Sequence, residues 1–279
     1  MITLTDSQKN RLTELGMCLE ELLLQFETPE ERESYYKKVE KEMVSKNRKI
    51  LTHLIDTKHQ PEICKLEYIL AKTLCDNGFT QVTTPTIISK KFLDRMTIDG
   101  THPLNEQVFW IDSKSCLRPM LAPNLYSVSK DLMNLKKFPL RIFEIGSCFR
   151  KESEGKSHLK EFTMLNLVEW GTPLEERTKR LAELGKLVLN AAGIDSYEIE
   201  LENSVVYGDG IDFIGSDGLE LASTSMGPHS LDSAWKIDCT WVGIGFGLER
   251  LLMYREKQQG IHRFSKSISF LDGARLNIK

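Results

Sequence analysis

Long apolar runs are what this sequence lacks most plainly. No uncharged hydrophobic stretch approaches the roughly 20 residues a bilayer demands, so no membrane span is expected. The amino terminus, Met1-Ile2-Thr3-Leu4-Thr5-Asp6, has neither the basic segment nor the apolar core of a signal peptide. Cysteine is sparse and scattered, at 18, 64, 75, 116, 148 and 239, with no Cys-x-x-Cys pair. That argues against a disulfide framework and a zinc site, and it suits reduced thiols in a cytoplasm. Cys148 has no activating histidine near it in sequence and reads as a buried apolar thiol. An excess of one charge is missing too: 37 Lys and Arg against 40 Asp and Glu leave a net charge of −3. This excludes little, because a nucleic-acid binder needs a local basic face, not a basic total. No internal repeat or low-complexity segment is present.

What is there is ordinary for a globular chain: 41% hydrophobic and 28% charged residues over 279 positions, enough for one or two domains. Leu12, Leu15, Leu19, Leu22 and Leu23 recur at helical spacing within 6–25, behind a capping Thr5 or Asp6. Thr28-Pro29-Glu30-Glu31 opens a second helix, expected to run with a break to Ile55. Residues 1–60 thus read as a helical, highly charged extension without catalytic parts, and 61–279 as the main body. Lys37, Lys38, Lys41, Lys46, Arg48 and Lys49, and later Lys136, Lys137 and Arg141, are candidates for a basic face. Glu40 and Glu42 among them leave a merely solvated helix equally open.

Beyond Lys65 the pattern turns to helix and then strands. A helix over 66–77 is capped by Gly78, and a strand over 79–84 stops at Pro85. The β-rich run 107–111 is expected to pair with 115–118 as a hairpin, followed by a helix over 123–135. Two longer strands, 142–152 and 160–169, form another hairpin, and 173–192 a helix ended by Gly193. Short strands follow at 197–201, 205–207, 211–214 and 219–223, then a strand at 241–246 and a helix at 248–257. Hairpins outnumber βαβ units, so the expected fold is α+β, a mostly antiparallel sheet with helices on one side.

Two segments carry chemistry. Phe149-Arg150-Lys151-Glu152 is followed by a polar loop and His158-Leu159-Lys160-Glu161-Phe162, and Gly243-Ile244-Gly245-Phe246-Gly247-Leu248-Glu249-Arg250 lies about ninety residues on. On a strand Arg150 and Glu152 face one side. Glycines at period two leave backbone bare where a flat ligand can lie close. Taken singly, the first reads as a surface strand with an ion pair and the second as a bulged strand. Together they supply an arginine for phosphate, a carboxylate for an exocyclic amine and a ring for a purine face: a pocket for ATP without a glycine-rich phosphate loop ahead of a helix.

In this order the segments resemble motifs 2 and 3 of class II aminoacyl-tRNA synthetases, with 66–85 resembling motif 1. Leu117-Arg118-Pro119-Met120-Leu121-Ala122-Pro123-Asn124-Leu125-Tyr126, Phe162-Thr163-Met164-Leu165-Asn166, Val206-Tyr207-Gly208-Asp209 and Gly247-Leu248-Glu249-Arg250-Leu251-Leu252 narrow the resemblance to the pyrrolysyl-tRNA synthetase family, from about Lys65 to the end. The resemblance implies an aminoacyl-tRNA ligase with the class II catalytic fold, a homodimer, using ATP, Mg2+, pyrrolysine and a suppressor tRNA. It assigns Arg150 to the α-phosphate and the amino-acid carboxylate, Glu152 to the adenine amine, and Phe162 and Arg250 to the two adenine faces. Arg250 also reaches the γ-phosphate, His158 contacts phosphate from its loop, and Leu159 and Leu221 complete the nucleotide site. Glu220 and Ser223 stand where the family holds Mg2+. Ala122, Leu125, Tyr126, Val168, Trp241 and Gly243 outline the amino-acid pocket, Asn166 reads the side-chain amide, Tyr207 closes over the ring, and Ser225 lies in the wall. Longer archaeal members carry an additional N-terminal tRNA-binding domain that has no counterpart here, so a separate tRNA-binding protein, or none, is expected. Two other readings stay open: a class II synthetase for another bulky or phenylalanine-like amino acid, and a non-catalytic tRNA-binding paralogue.

Overall fold

A computed structural model describes residues 1–151, 159–204, 208–257 and 260–278, with side chains throughout except at 19, 202–204, 208 and 209. Its centre is a seven-stranded sheet: β1 (Thr80–Gln81), β2 (Leu140–Phe149), β3 (Glu161–Trp170), β4 (Tyr197–Ser204), β5 (Gly208–Gly215), β6 (Glu220–Gly227) and β7 (Trp241–Gly247). The spatial order is β1-β2-β3-β7-β6-β5-β4. Every neighbouring pair is antiparallel except β1 with β2. The α+β expectation holds.

Six helices matter for the architecture: α1 (Asp6–Leu15), α2 (Pro29–Asp56), α3 (Glu62–Asp76), α4 (Ala122–Leu132), α5 (Arg177–Ala191) and α6 (Leu248–Arg255). Alternation along the strands sends Phe143, Leu165, Leu167, Val242, Ile244 and Phe246 to one face. There they meet Leu66, Leu70 and Leu74 of α3, Leu181, Leu184 and Val188 of α5, and Leu248, Leu251 and Leu252 of α6. Each such buried side chain contributes about 1.5–3 kcal/mol. Gly185 lets α5 sit close, since a Cβ there would stand 2.0 Å from the Phe213 ring.

The opposite face is not bare. Ile142, Val168, Trp170 and Trp241 pack there against Leu125 and Tyr126 of α4 and against Trp235 and Ile237. Helices therefore cover both faces at this end of the sheet, where sequence periodicity suggested one. Farther along the same face, the strands carrying Asn166, Gly245 and Ser223 border an open cavity.

The N-terminal helices pack in a cluster of their own, with Leu4, Leu12, Met17 and Leu22 against Phe26, Tyr35 and Tyr36. Thr5 caps α1 through a reciprocal pair with Gln8, and Thr28 Oγ1 accepts the Glu31 N–H at the start of α2. α2 runs unbroken to Asp56 because no glycine or proline follows Pro29 within it. Asn47 staples it to both ends of the chain: its amide donates to Leu15 O and Met43 O, and its carbonyl accepts from Arg275 N.

Two local expectations shift. The 107–111 run pairs with 115–117 only around one bridge, Trp110 with Cys116, where Leu117 N donates to Phe109 O and Ile111 N to Ser115 O, and the regular strand partner of Ser115–Leu117 is Ile87–Ser89. The short helix Pro103–Glu106 captures the start of that run, with Gln107 N donating to Leu104 O. Regular pairing in 79–84 stops after Gln81 apart from one ladder bond, Val82 N to Phe143 O. Thr84 then turns its backbone and hydroxyl to the buried Glu144 carboxylate, at 3.0 and 2.6 Å.

Candidate active site

Three strands build the floor of a cavity of about 380 Å³. β7 runs between β3 and β6, so Gly243 and Gly245 each face one residue on either side. Val168, Gly243 and Ser225 make one row across the sheet, and Asn166, Gly245 and Ser223 the next. A Cβ on Gly245 would lie 3.4 Å from Asn166 Nδ2, and one on Gly243 3.2 Å from the Trp241 ring. Glycine at period two therefore keeps the floor low between taller neighbours. The Asn166 Oδ1 is buried and has no hydrogen-bond partner among the described residues.

One end of the cavity is aromatic. Tyr126 stacks on Trp235 with centroids 5.4 Å apart and meets Trp170 and Trp241 edge-on at 5.4 and 5.9 Å. Buried Asp232 fixes two of these rings: its carboxylate accepts from Tyr126 Oη and Trp241 Nε1, each at 2.9 Å. Trp170 Nε1 donates to Ser129 Oγ at 2.7 Å. Ala122 and Leu125 enter from α4, near this aromatic wall.

The other end is charged. Arg150 follows the last residue of β2, donates from Nε to Pro119 O at 2.9 Å, and lies with its guanidinium 5.4 Å from the centre of the Phe162 ring. Arg250, in the first turn of α6, donates to both the backbone oxygen and the carboxylate of Glu220, at 3.0 and 3.1 Å. Glu249 is buried, and burial pushes its carboxyl up to about 7 against the backbone hydrogen bonds that favour the anion. Cys148 is buried as well, its thiol pushed up to about 12 by the same cause, so it is no nucleophile.

Arg150, Leu159, Phe162, Glu220, Leu221, Ser223 and Arg250 line this one cavity together with Ala122, Leu125, Tyr126, Asn166, Val168, Ser225, Trp241 and Gly243. These are all the sequence-derived candidates within the described residues; Glu152, His158 and Tyr207 lie outside them. Sequence reasoning passed over His102, Met120, Met164 and Glu249, which also line it. Met164 was legible, two residues before Asn166 on the same strand face, and Glu249 stands beside Arg250. His102 gave no local signal, because it reaches the cavity from a loop far along the chain. Among the basic candidates, Arg141 is turned to Glu169, with which it pairs at 2.6 Å.

The donor set suits the groups the resemblance implies. Two arginines answer phosphate, and the hard oxygens of Glu220 and Ser223 answer Mg2+, a cation that keeps several waters and needs few protein ligands. No helix among the described residues is long and apolar enough to cross a membrane.

Comparison with known proteins places this geometry among aminoacyl-tRNA synthetases. A profile of the phenylalanyl tRNA synthetase beta chain CLM domain matches residues 51–187. Threonine--tRNA ligases of Wolbachia pipientis subsp. Culex pipiens and Psychrobacter cryohalolentis are each 30% identical, over 98 and 97 residues. Those matches take in 33% of this chain and only 15% of the length of either ligase. Pyrrolysyl-tRNA synthetase from Desulfitobacterium hafniense is 51% identical in its crystal structure, with a TM-score of 0.94 and both chains covered in full. A second structure from that organism, of PylSc, a pyrrolysyl tRNA synthetase, is also 51% identical, with a TM-score of 0.92 over 99% of this chain and 95% of the other.

Proposed function

This chain belongs to the pyrrolysyl-tRNA synthetase family of aminoacyl-tRNA ligases, and we propose that it activates pyrrolysine with ATP and transfers it to a cognate suppressor tRNA. The observation that carries the choice of amino acid is Asn166. A buried amide oxygen without a protein partner costs about 1–3 kcal/mol. A lysine derivative with an amide in its side chain supplies the missing donor, while the aromatic end holds its ring.

Activation brings two anions together, the amino-acid carboxylate and the α-phosphate, so the protein's work is alignment and charge neutralisation. Arg150 spans both with its planar fork. Phe162 and Arg250 hold the adenine between them, Arg250 also reaching the γ-phosphate, and Leu159 and Leu221 complete that wall. Glu152 takes the adenine amine, His158 a phosphate oxygen, and Tyr207 closes over the amino acid. Glu220 and Ser223 would hold Mg2+, which would neutralise phosphate charge. No protein base is required, since the nucleophile is already a carboxylate.

The chain works as a homodimer about the motif 1 region, where Tyr68, Ile69 and Ile87 expose apolar surface. Residues 1–60 form an extension that touches tRNA, and a separate protein supplies further tRNA binding where it is needed. The protein acts in the cytoplasm.

ATP–pyrophosphate exchange with pyrrolysine tests the first step and charging of the tRNA the second. Pyrrolysine-dependent exchange is the expected result. ATP binding without exchange would overturn the choice of amino acid, and adenylate formation without charging would point to a missing tRNA-binding partner.

A further inference from the structure

Besides the Asn166 oxygen, one more polar atom in the cavity wall is buried without a partner among the described residues: Nε2 of His102. The other ring nitrogen is engaged. His102 caps the short helix Pro103–Glu106, and its Nδ1 accepts the backbone N–H of Leu104 at 3.1 Å. A ring nitrogen that accepts a hydrogen bond carries no proton, so the imidazole is neutral and its proton sits on Nε2. The cap thus fixes the tautomer and leaves a buried donor at the cavity wall.

The fold ties the segment that carries this donor to the charged end. The short helix runs into Gln107, whose carbonyl accepts the backbone N–H of Lys151 at 2.7 Å, next to Arg150. Met120, one residue past the Pro119 carbonyl that anchors Arg150, lines the same cavity as His102. A neutral N–H donor in a cavity that also holds a guanidinium suits an anionic oxygen better than a cation.

We infer that His102 donates from Nε2 to an anionic oxygen of the bound reactants at the Arg150 end, a phosphate of the nucleotide or the carboxylate of the amino acid. The inference rests on the proposed adenylating site and adds a substrate-binding residue to it. The imidazole supplies direction without a second full charge, so it orders the oxygen that Arg150 neutralises.

Two variants separate the nitrogens. In His102→Asn the side-chain oxygen takes the place of Nδ1 and keeps the cap, but nothing reaches the position of Nε2. In His102→Gln the amide N–H2 reaches that position while the cap is given up. Calorimetric titration of the full chain with ATP·Mg2+ alone, and pyrophosphate exchange at varied amino acid, read the two sources separately. His102→Asn is expected to melt like wild type and to weaken one of them about tenfold: ATP affinity if the oxygen is phosphate, or the amino-acid KM if it is carboxylate. His102→Gln should recover most of that loss. Wild-type values for His102→Asn in both assays would overturn the inference, as would a loss confined to His102→Gln, which would mark a cap and nothing more. The ATP titration needs no amino acid, and exchange uses whichever amino acid the wild type activates. An error over pyrrolysine and an error over His102 therefore give different results.

Discussion

The carboxylate of Glu249 accepts the backbone N–H of Thr163 with both oxygens, at 2.8 and 2.9 Å. Pairing of β7 with β3 ends at Gly247 and Met164, where the chain turns into α6. The next N–H of β3 loses its strand partner, and a side chain from the new helix takes over the ladder. Phe162 and Arg250, each next to one member of this pair, are thereby held at a fixed separation. The price is a buried carboxyl pushed up to about 7 from 4.5. A raised folded-state value means that the folded chain holds the proton more tightly than the unfolded one. This contribution to stability is complete below the unfolded value and is lost as pH rises through about 7.

Glu249→Gln keeps one acceptor and cannot ionise. Relative to wild type it should gain roughly 2–4 kcal/mol between pH 4.5 and pH 8, because each tenfold difference in proton affinity between folded and unfolded chain is worth about 1.4 kcal/mol. Urea unfolding of both proteins at the two pH values measures the difference. The comparison also removes Glu169, whose carboxyl is held low despite burial, by the guanidinium groups of Arg180 and Arg141, and whose own contribution is lost in acid. Parallel pH profiles for the two proteins would mean that Glu249 does not titrate in this range.

Asp232 is the shared acceptor for Tyr126 Oη, Trp241 Nε1 and the backbone N–H of His229. Asp232→Ala removes all three acceptances at a cost of about 1–3 kcal/mol for each donor left unmet. Because the rings wall the aromatic end and not the charged end, the KM for the amino acid should rise while ATP affinity stays near wild type. Asp232→Asn, with one acceptor oxygen left, should fall between. Equal losses for both substrates in exchange kinetics would refute this division of the cavity.

A buried ion pair joins β2 to the segment ahead of α4. Arg118 and Glu144 meet at 2.7 Å, 4% and 1% exposed, and Thr84, Ser147 and Asn124 complete the network. Arg118→Ala leaves the carboxylate buried and uncompensated, so it should cost about 3–5 kcal/mol in urea unfolding. Gly146→Ala should act through the same contact, since a Cβ there would stand 2.2 Å from an Arg118 nitrogen. The two losses should then not add: the double variant should be little worse than Arg118→Ala alone. Full additivity would show that Gly146 matters for another reason.

Period-two strands and leucine-spaced helices were readable because one face of each is buried, and the local pattern reports that face. The antiparallel character of the sheet and the hairpin of β2 with β3 follow from this, while Thr5 and Thr28 announce the starts of α1 and α2 as capping residues. What local pattern could not report is what arrives from elsewhere. Helix Ala122–Leu132 was visible, but not that it covers the second face of the sheet. The 107–111 run has strand composition, yet the turn before it takes the backbone donors of Gln107 and Val108. At the site, residues in rows across β3, β7 and β6 could be paired once the motifs were aligned. His102 and Asp232 act through side chains whose partners lie far along the chain, or in the ligand, so no spacing betrays them.

Asn166 and Gly245 are directly opposed across β3 and β7, and they allow recognition of the amino acid to be separated from access to the floor. Asn166→Ala removes the amide without filling space. Its loss should cost about 1–3 kcal/mol, roughly tenfold or more in kcat/KM for pyrrolysine. An apolar amino acid of similar length, with no side-chain amide, should be used no worse than by wild type. Gly245→Ala instead adds a methyl 3.4–3.5 Å from the Asn166 amide and Met164 Cε, an ordinary contact, so its melting temperature should be unchanged. The methyl stands on the cavity floor and should impair both amino acids alike. Exchange kinetics with the two substrates and two variants give four ratios, and only amide reading makes the Asn166 loss specific to pyrrolysine. Full pyrrolysine activity in Asn166→Ala would shift the assignment to another bulky or phenylalanine-like amino acid, with the same fold and the same charged end.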